Sequence, residues 1–430
     1  MKTNGLNHLP GPDSIIRREL NNGIVLLVRE NPSSNTAAVI ANLPCGSYLD
    51  PMDKTGLADI MSNLLNNGTQ SHDFNQLSEL LESSGASLSV GCGPRALTFQ
   101  GACLAEDLEM LLGILKEVLD EPLFPQEQVE IHRHRVLSAY ELHLHDPETM
   151  ANESFDRLLF GPAHPYGRPE FGTPEEINTI TRDDLLEFHR RYIGPEKMVL
   201  AITGGIDADK AIELCEKQLR TWQKPQEQIH TEDYFPSVPA PDHAISEHIE
   251  IPEKSEMELI LGTMAPNRGS EDYLAVVLGN SILGEFGMMG RIGQAVREKN
   301  GLAYYAGSSF TSLSYGGCWT VEAGVNPANL EKAVELIQTE LRRFTSQKVR
   351  PEELEDVKSY YIGSLPLSLE SNSGMAALMI SLENHQLGLD YVQRLPEMVN
   401  RVTSDDILAA AQKWLDPEKL IRVTAGTKQS

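Results

Sequence analysis

The sequence predicts an α+β protein of two homologous lobes, each a mixed or antiparallel sheet with helices packed on one face. Two observations lead to this prediction. Short segments of the chain return 222 residues later, and runs of strand and runs of helix are grouped within each half. Strict alternation of strand and helix would indicate a parallel α/β sheet, whereas grouped runs are typical of the α+β class.

The internal repeat is the stronger of the two observations. Three pairs of segments share the offset 403 − 181 = 222: residues 181–186 with 403–408, 195–199 with 417–421, and 108–109 with 330–331. Each segment of the first pair begins with a threonine, Thr181 or Thr403, and two acids follow after one intervening residue. This pattern caps a helix and complements its dipole. Three matches in one register indicate two related halves.

A proline-rich stretch marks the join between the halves. Between residues 223 and 244 the chain holds Pro225, Pro236, Pro239 and Pro241 among mostly polar residues. Such a composition is typical of an extended linker. We therefore predict an N-terminal lobe over 12–222, a linker over 223–244 and a C-terminal lobe over 245–430.

Local patterns predict the elements of the first lobe. Asn22-Gly23 is a strong hairpin signal, and apolar runs flank it. The strands are predicted at 15–20, 24–28, 37–43, 98–103 and 199–203. Residues spaced for an amphipathic helix predict helices at 56–65, 74–83, 104–119, 127–145, 147–159 and 182–192.

Charge and composition exclude several classes of function. The 430 residues include 36 Lys+Arg and 62 Asp+Glu, a net charge of −26. Phosphate backbones and anionic membrane surfaces attract positive charge, so we expect neither a nucleic acid nor a membrane as partner. The start of the chain has no signal-peptide pattern, and five scattered cysteines predict no disulfide framework. A cytoplasmic location is the resulting expectation.

Several motifs resemble those of one enzyme family. They are Gly-Ser-Tyr-Leu-Asp at 46–50, Thr-Gly-Leu-Ala at 55–58, Asn-Asn-Gly-Thr at 66–69, His-Pro-Tyr-Gly at 164–167 and Val-Arg-Glu-Lys-Asn-Gly-Leu-Ala-Tyr at 296–304. Together they resemble the pitrilysin/insulinase family of zinc peptidases, most of all its processing-peptidase-like branch. The resemblance covers nearly the whole chain, and it implies two similar lobes, in agreement with the repeat.

The resemblance also implies that the zinc motif is degenerate. In the family helix, His at positions i and i+4 bind zinc and Glu at i+3 is the general base. These positions fall on Asp59, Asn63 and Ser62, and the family's third ligand, a later Glu, falls on Ala139. Because a zinc hydrolase needs about three protein ligands, we expect no metal cofactor and no peptidase activity in this chain alone.

A second family motif is intact. Active members supply an Arg and a Tyr, seven residues apart, that contact the substrate and the tetrahedral intermediate. Arg297 and Tyr304 match this pair, since 304 − 297 = 7. A guanidinium and a phenol can both donate hydrogen bonds to an oxyanion. By resemblance, these two residues are therefore the predicted substrate-binding residues.

The sequence leaves three interpretations open. The favoured one is a zinc-less subunit of an insulinase-type peptidase, whose partner subunit carries the zinc and whose substrate is a peptide. An alternative from another class is a non-enzymatic peptide-binding or scaffold protein that forms a homodimer. A third is a core subunit of a respiratory complex descended from the same family, for which the start of the chain offers no targeting pattern.

Overall fold

The computed structural model describes residues 9–169, 171–285 and 290–428. The chain forms two compact units, and each combines three stretches of sequence. The first unit holds the described residues of 1–140, 170–234 and 365–394, and the second holds those of 141–169, 235–364 and 395–430. Within the described residues, no helix is both long enough and apolar enough to cross a membrane.

The first unit is built on a mixed six-stranded sheet. Its strands are β1 Ile16–Glu19, β2 Val25–Glu30, β3 Thr36–Leu43, β4 Ser87–Cys92, β5 Leu97–Leu104 and β6 Val199–Gly204. They lie in the order β1-β2-β6-β3-β5-β4. Only the β2–β6 pair is parallel, and the other neighbours are antiparallel. All six residues of β6 are buried, as expected for a central strand.

The described residues of the first half of the sequence form eight α-helices. They are α1 Leu57–Leu64, α2 Phe74–Ser83, α3 Leu108–Asp120, α4 Gln126–His143, α5 Pro147–Phe160, α6 Pro174–Thr179, α7 Arg182–Tyr192 and α8 Ala208–Leu219. The sequence analysis did not predict β4, α6 or α8. In β4, small and polar residues alternate with half-buried ones, a weaker signal than the apolar runs of the central strands.

The second unit is built on a mixed five-stranded sheet. Its strands are β7 Ile245–Glu250, β8 Met257–Met264, β9 Ala303–Leu313, β10 Gly316–Val325 and β11 Ile421–Gly426, in the order β7-β11-β8-β10-β9. The described helices of the second half of the sequence are α9 Tyr273–Asn280, α10 Arg291–Gly293, α11 Leu330–Ser346, α12 Pro351–Ser368, α13 Asn372–Asn384, α14 Tyr391–Arg401 and α15 Ser404–Trp414. Of these, α13 belongs to the first unit. The segments Ser281–Glu285 and Gln294–Glu298 are short π-helical turns.

The predicted repeat is visible in matching elements. α7 and α15 each begin with a capping box, formed by Thr181 with Asp184 and by Thr403 with Asp406. The strands that follow, β6 and β11, are offset by 421 − 199 = 222 residues. In each sheet this strand is parallel to one neighbour and antiparallel to the other. The predicted α+β class with two similar lobes is therefore confirmed.

In the first unit, helices cover both faces of the sheet. On one face, a Cβ added to Gly101 of β5 would meet the Leu111 side chain of α3 at 3.1 Å. On the other face, the Asn384 amide of α13 donates to Asn42 Oδ1 of β3 at 3.0 Å. Gly101 pairs with Val39, three residues from Asn42, so the two contacts lie on opposite faces. α13 therefore covers the second face, although it comes from the second half of the sequence.

The second unit repeats this arrangement with α5. A Cβ added to Gly262 of β8 would lie 2.6 Å from the Phe155 ring of α5, so the absence of a side chain at Gly262 makes room for that ring. On the opposite face, the Trp319 indole of β10 donates to Asn280 Oδ1 at 2.9 Å and packs edge-on against Phe344 of α11. In the described part of the chain, each sheet thus has helices on both faces, with α13 and α5 on the second face of the first and second sheet respectively.

These two helices explain how the compact units differ from the predicted lobes of 12–222 and 245–430. The boundaries were drawn from the repeat and from the proline-rich stretch, which locate the halves of the sequence. Residues 141–169 nevertheless pack with the second sheet, and residues 365–394 pack with the first. The reason is that each sheet buries apolar side chains on both faces and takes its second cover from a distant segment.

We expect Phe155→Ala to destabilise the second unit by about 3–5 kcal/mol, because Phe155 is 2% exposed and fills the space above Gly262. Urea unfolding followed by tryptophan fluorescence measures the loss. Phe74→Ala on α2 is the matched control, since Phe74 is 42% exposed and should cost much less. Equal effects of the two substitutions would contradict the packing of α5 on this sheet.

Candidate functional site

A buried carboxylate fixes the start of α1, the helix on which the degenerate zinc motif was predicted. Gly56 precedes the helix with φ = +90°, a left-handed conformation that favours glycine. The Asp50 carboxylate accepts hydrogen bonds from the backbone N–H of Gly56 at 2.9 Å and of Ala58 at 2.8 Å. Asp50 thus satisfies two of the free N–H groups at the helix start and orients α1.

The three predicted motif residues on α1 bond to one another and to the helix. The Asn63 amide donates to Asp59 Oδ1 at 3.0 Å and to the Asp59 carbonyl oxygen at 2.9 Å, so the i and i+4 positions share one helix face. Ser62 is 1% exposed, and its hydroxyl donates to the Asp59 carbonyl at 2.8 Å. The Ser62 side chain is therefore directed to its own helix.

The fourth predicted position lies on α4. Arg133 anchors this helix by donating to the carbonyl of Ile180 at 2.6 Å and to that of Ile177, at the end of α6. Ala139 follows the buried stretch of α4 and is exposed. A methyl group supplies no ligand and no base, so this position contributes only its backbone to any chemistry.

The donor set on α1 and α4 does not fit a zinc ion. Asp59 is the single good ligand among the four positions, and the neighbouring amide of Asn63 already donates to it. Within the described residues, no three His, Cys, Asp or Glu side chains are grouped so that they could hold a metal. A hydroxyl bonded to its own helix is also no substitute for a general base.

Arg297, the first residue of the second predicted pair, lies in an anchored turn. It belongs to the π-helical segment Gln294–Glu298, and its carbonyl accepts from the N–H of Gly301 at 2.8 Å. Gly301 has φ = +61°, which lets the chain turn sharply from this segment toward β9. The Arg297 side chain is half-buried.

An ion pair fixes the residues before this turn. The Arg291 guanidinium donates to both oxygens of Glu353 on α12, at 3.1 and 2.8 Å, and lies 3.6 Å from Glu340 on α11. Burial alone would raise the pKa of Glu353, but hydrogen bonds from Arg291 and Arg350 outweigh burial and bring it to about 2. The bidentate geometry holds α10 against the two long helices.

Tyr304 projects from a β-bulge. In the pairing of β9 with β10, Tyr305 lies opposite Gly324 and Ala303 lies opposite Val325, so Tyr304 is the extra residue. Its side chain is 76% exposed. Because a bulge leaves one residue outside the ladder and redirects its side chain, Tyr304 presents its phenol to solvent.

The structure adds one pair that sequence reasoning missed. Tyr305 donates its phenol hydrogen to Oε1 of Glu258 on β8, a residue that is 6% exposed. Burial raises the pKa of Glu258 to about 7, although the bond from Tyr305 lowers it, and the nearby acids Glu148 and Glu322 raise it further. The residues are 47 positions apart, so the sequence held no local signal for the pair.

The sequence analysis also missed the exposed edge of the first sheet. β4 is the last strand of that sheet, and among the described strands it pairs with β5 alone. The Leu88 carbonyl accepts from the Asn66 amide at 3.0 Å, which shows that it points away from β5. By the alternation of an antiparallel ladder, Val90 also directs its main-chain groups outward. Ser62 and Asn63 of α1 line a groove beside this edge.

We expect Glu353→Gln to lower the free energy of unfolding by about 1–3 kcal/mol at pH 7, because a charge-assisted bidentate bond is lost. The pKa of Glu353 falls from 4.5 to about 2 on folding, so its contribution is present above pH 4.5 and is lost as the pH falls toward 2. Urea unfolding of the natural chain and of Glu353→Gln between pH 3 and 7 should show a gap between their free energies of unfolding. This gap should narrow below pH 4.5. Glu352→Gln, at an exposed neighbour on the same helix, should show no such gap.

We expect the purified chain to contain well under one zinc ion, because its four motif positions supply at most one good ligand. Elemental analysis measures this directly. Stoichiometric zinc bound through the first unit would contradict the alignment of Asp59, Ser62, Asn63 and Ala139 with the family motif.

The combined variant Asp59→His, Ser62→Glu, Asn63→His and Ala139→Glu should gain zinc affinity, because Asp59 and Asn63 already share one helix face. Calorimetric titration with zinc measures the gain, and the same variant with Ala139 retained is the control that lacks one ligand. Activity need not follow, since no outer hydrogen bonds would orient the new ligands. A folded variant with no more affinity than the natural chain would show that the positions are misaligned.

Comparison with known proteins identifies the family. The family model described as "Insulinase (Peptidase family M16)" matches residues 25–158, and the model described as "Peptidase M16 inactive domain" matches residues 179–361. The two matches together cover most of the chain, and the second begins before the proline-rich stretch and extends into the second half.

Relatives match over nearly the full length. An uncharacterized zinc protease of Mycobacterium leprae is 24% identical over 412 residues, which cover 94% of this chain and 89% of the relative. An uncharacterized zinc protease of Bacillus subtilis is 23% identical, with 91% of this chain and 92% of the relative covered.

Solved structures share the fold. A peptidase M16 inactive domain from Pseudomonas fluorescens has a TM-score of 0.89 at 24% identity, covering 97% of this chain and 98% of that one. A protease from Helicobacter pylori has a TM-score of 0.87 at 18% identity, covering 97% and 100%. With the family models matching both halves and the sheets arranged as described, this chain belongs to the insulinase family, peptidase family M16.

Proposed function

We propose that this protein is a zinc-less subunit of an insulinase-type metallopeptidase and that it binds peptide substrate together with a zinc-bearing partner subunit. One contrast carries the proposal: α1 keeps a well-ordered start but holds no zinc donor set, while Tyr304 stands exposed on a bulge. A phenol that is 76% exposed contributes little to the fold, which supports a role in binding.

In this proposal, Arg297 and Tyr304 act on the carbonyl oxygen of the bond that is cleaved. Peptide hydrolysis passes through a tetrahedral intermediate whose oxygen carries negative charge. A guanidinium and a phenol donate hydrogen bonds to that oxygen more strongly than to the neutral carbonyl, so they lower the barrier. The zinc, the activated water and the general base would come from the partner.

The proposal has two parts, a peptidase family and a subunit without zinc, and different comparisons support each of them. The relatives from Mycobacterium leprae and Bacillus subtilis are named zinc proteases, whereas the similar structure from Pseudomonas fluorescens is described as an inactive domain. Pairing with a zinc-bearing member of the same family would reconcile a degenerate motif with an intact Arg/Tyr pair. We also propose a cytoplasmic location, on the basis of the odd, scattered cysteines.

The net charge suggests the kind of peptide. A chain with a charge of −26 attracts cationic ligands by long-range electrostatics. Basic peptides are therefore the first substrates to try, and the rate of their cleavage by the complex should fall as salt is added.

In the complex with a zinc-bearing partner, Tyr304→Phe should lower kcat by about 10²-fold, because one oxyanion donor is lost while the ring remains. Arg297→Ala should cost at least as much and should also raise KM, since a charged donor is removed. The partner is identified by pull-down from native cells, and peptidase activity is measured on purified complex at equal subunit ratio.

Two controls make this test specific. Tyr273→Phe removes a phenol from α9 of the same unit and should leave kcat unchanged. The chain alone should show no peptidase activity. Full activity of both the Tyr304 and the Arg297 variant would contradict the proposed roles, as would zinc-dependent activity of the chain without a partner.

A second candidate function is peptide binding without catalysis, in which the protein acts as a scaffold or homodimer. The outward main-chain groups of Val90 on β4 favour this function, because an extended peptide can add to the edge strand of a sheet. Val90→Pro would remove one outward N–H, so it should weaken peptide binding by the isolated chain. Tight binding by that chain, together with failure to recover any zinc-bearing partner, would make this function the better one.

A further inference from the structure

We infer that Tyr305 and Glu258 are positioning residues for Tyr304: their hydrogen bond across Gly324 selects the register in which Tyr304 is the bulged, solvent-facing residue. A role of this hydrogen bond in catalysis rests on the proposed function. Its effect on the direction of the Tyr304 side chain does not. Neither residue belongs to the motif by which Arg297 and Tyr304 were found.

The three residues form one row across the second sheet. Tyr305 of β9 lies opposite Gly324 of β10, and Gly324 lies opposite Glu258 of β8. Residues directly opposite one another point to the same face, so Tyr305 must cross the width of one strand to reach Glu258. Its phenol does so and donates to Glu258 Oε1.

Gly324, which lies between Tyr305 and Glu258, leaves room for the Tyr305 ring. A Cβ added to Gly324 would lie 2.7 Å from Cε1 and 3.0 Å from Cδ1 of Tyr305, closer than real Cβ contacts. The aromatic ring therefore lies directly over the bare backbone of Gly324. Any side chain at this position would push the ring away from the carboxyl group.

Glu258 depends on this phenol. Within the described residues, the charged groups that act on its buried carboxyl are Glu322 on β10 and Glu148 and Asp146 at the start of α5, all of which are acids. Among the described residues, Tyr305 is the side chain that donates a hydrogen bond to Glu258. Since a buried carboxyl group without a donor is costly, the pair resists separation.

The sequence itself would allow either tyrosine to occupy the inner place. Tyr304 and Tyr305 are adjacent and chemically identical, and moving one residue along a strand reverses the face to which a side chain points. If β9 slipped by one residue at the bulge, Tyr304 would lie over Gly324 and reach Glu258. In the structure, Tyr305 occupies the position over Gly324, and the Tyr304 side chain remains 76% exposed.

Removal of the Tyr305 hydroxyl should place Tyr304, instead of residue 305, over Gly324. In Tyr305→Phe, Tyr304 is the remaining phenol that can donate to Glu258, so the slipped register becomes favoured and Tyr304 turns inward. We would place 3-fluorotyrosine at position 304 of the full chain and measure how a soluble gadolinium chelate relaxes its ¹⁹F signal. The signal should lose most of this relaxation in Tyr305→Phe and should keep it in the control Tyr273→Phe.

A second pair of variants tests the same inference in case the Tyr305→Phe protein does not fold. Glu258→Ala removes the acceptor, so nothing holds Tyr305 over Gly324, and the fluorine signal at 304 should shift or broaden into more than one state. Glu258→Gln keeps a carbonyl oxygen that accepts from the phenol, and it should restore the natural signal. A merely structural role of Glu258 would not predict rescue by glutamine.

The same variants separate this inference from the proposed function. In the complex, Tyr305→Phe should lower kcat as Tyr304→Phe does, with little change in KM, and the double variant should be no worse than either. An unchanged fluorine signal in Tyr305→Phe and in Glu258→Ala would overturn the positioning role. A changed signal combined with full activity of Tyr304→Phe would support the positioning role and overturn the proposed function.

Discussion

The structure depends on one packing constraint: each sheet buries apolar residues on both faces, and one helix from a distant part of the chain covers the second face. α5 does so for the second sheet through Phe155, which lies over Gly262. α13 does so for the first sheet, where Asn384 bonds to Asn42. Since each cover comes from the other half of the sequence, neither half by itself contains a complete set of layers.

In the first unit, α1, the helix on which the degenerate zinc motif is predicted, has a well-fixed start but no set of zinc donors. Asp50 still binds the N–H groups at the start of α1, and positions 59 and 63 still share one face. The side chains there bond to one another instead of converging on an ion. α1 is held by its own buried apolar face and by the hydrogen bonds to Asp50, and neither of these depends on a metal ion.

In the second unit, order around the site comes from polar groups placed between strands and helices. Arg291 ties the segment before Arg297 to α11 and α12, and Tyr305 ties the start of β9 to β8. Both contacts join residues far apart in sequence, and both are charge-assisted or buried, so they are strong. They leave Tyr304 exposed next to a well-fixed backbone, which is the arrangement that a residue acting on a bound ligand requires.

The sequence by itself determined the α+β class, the 222-residue repeat, most helices and central strands of the first half, and the family, because these depend on local periodicity, capping residues and short motifs. Tertiary structure alone decided that α5 and α13 cover the sheets of opposite halves, that β4 forms a free edge, and that Tyr305 bonds to Glu258 across Gly324. These features depend on contacts between residues tens to hundreds of positions apart. No local pattern encodes such contacts, because a strand's neighbours and the face that a helix covers are settled only when the whole core packs.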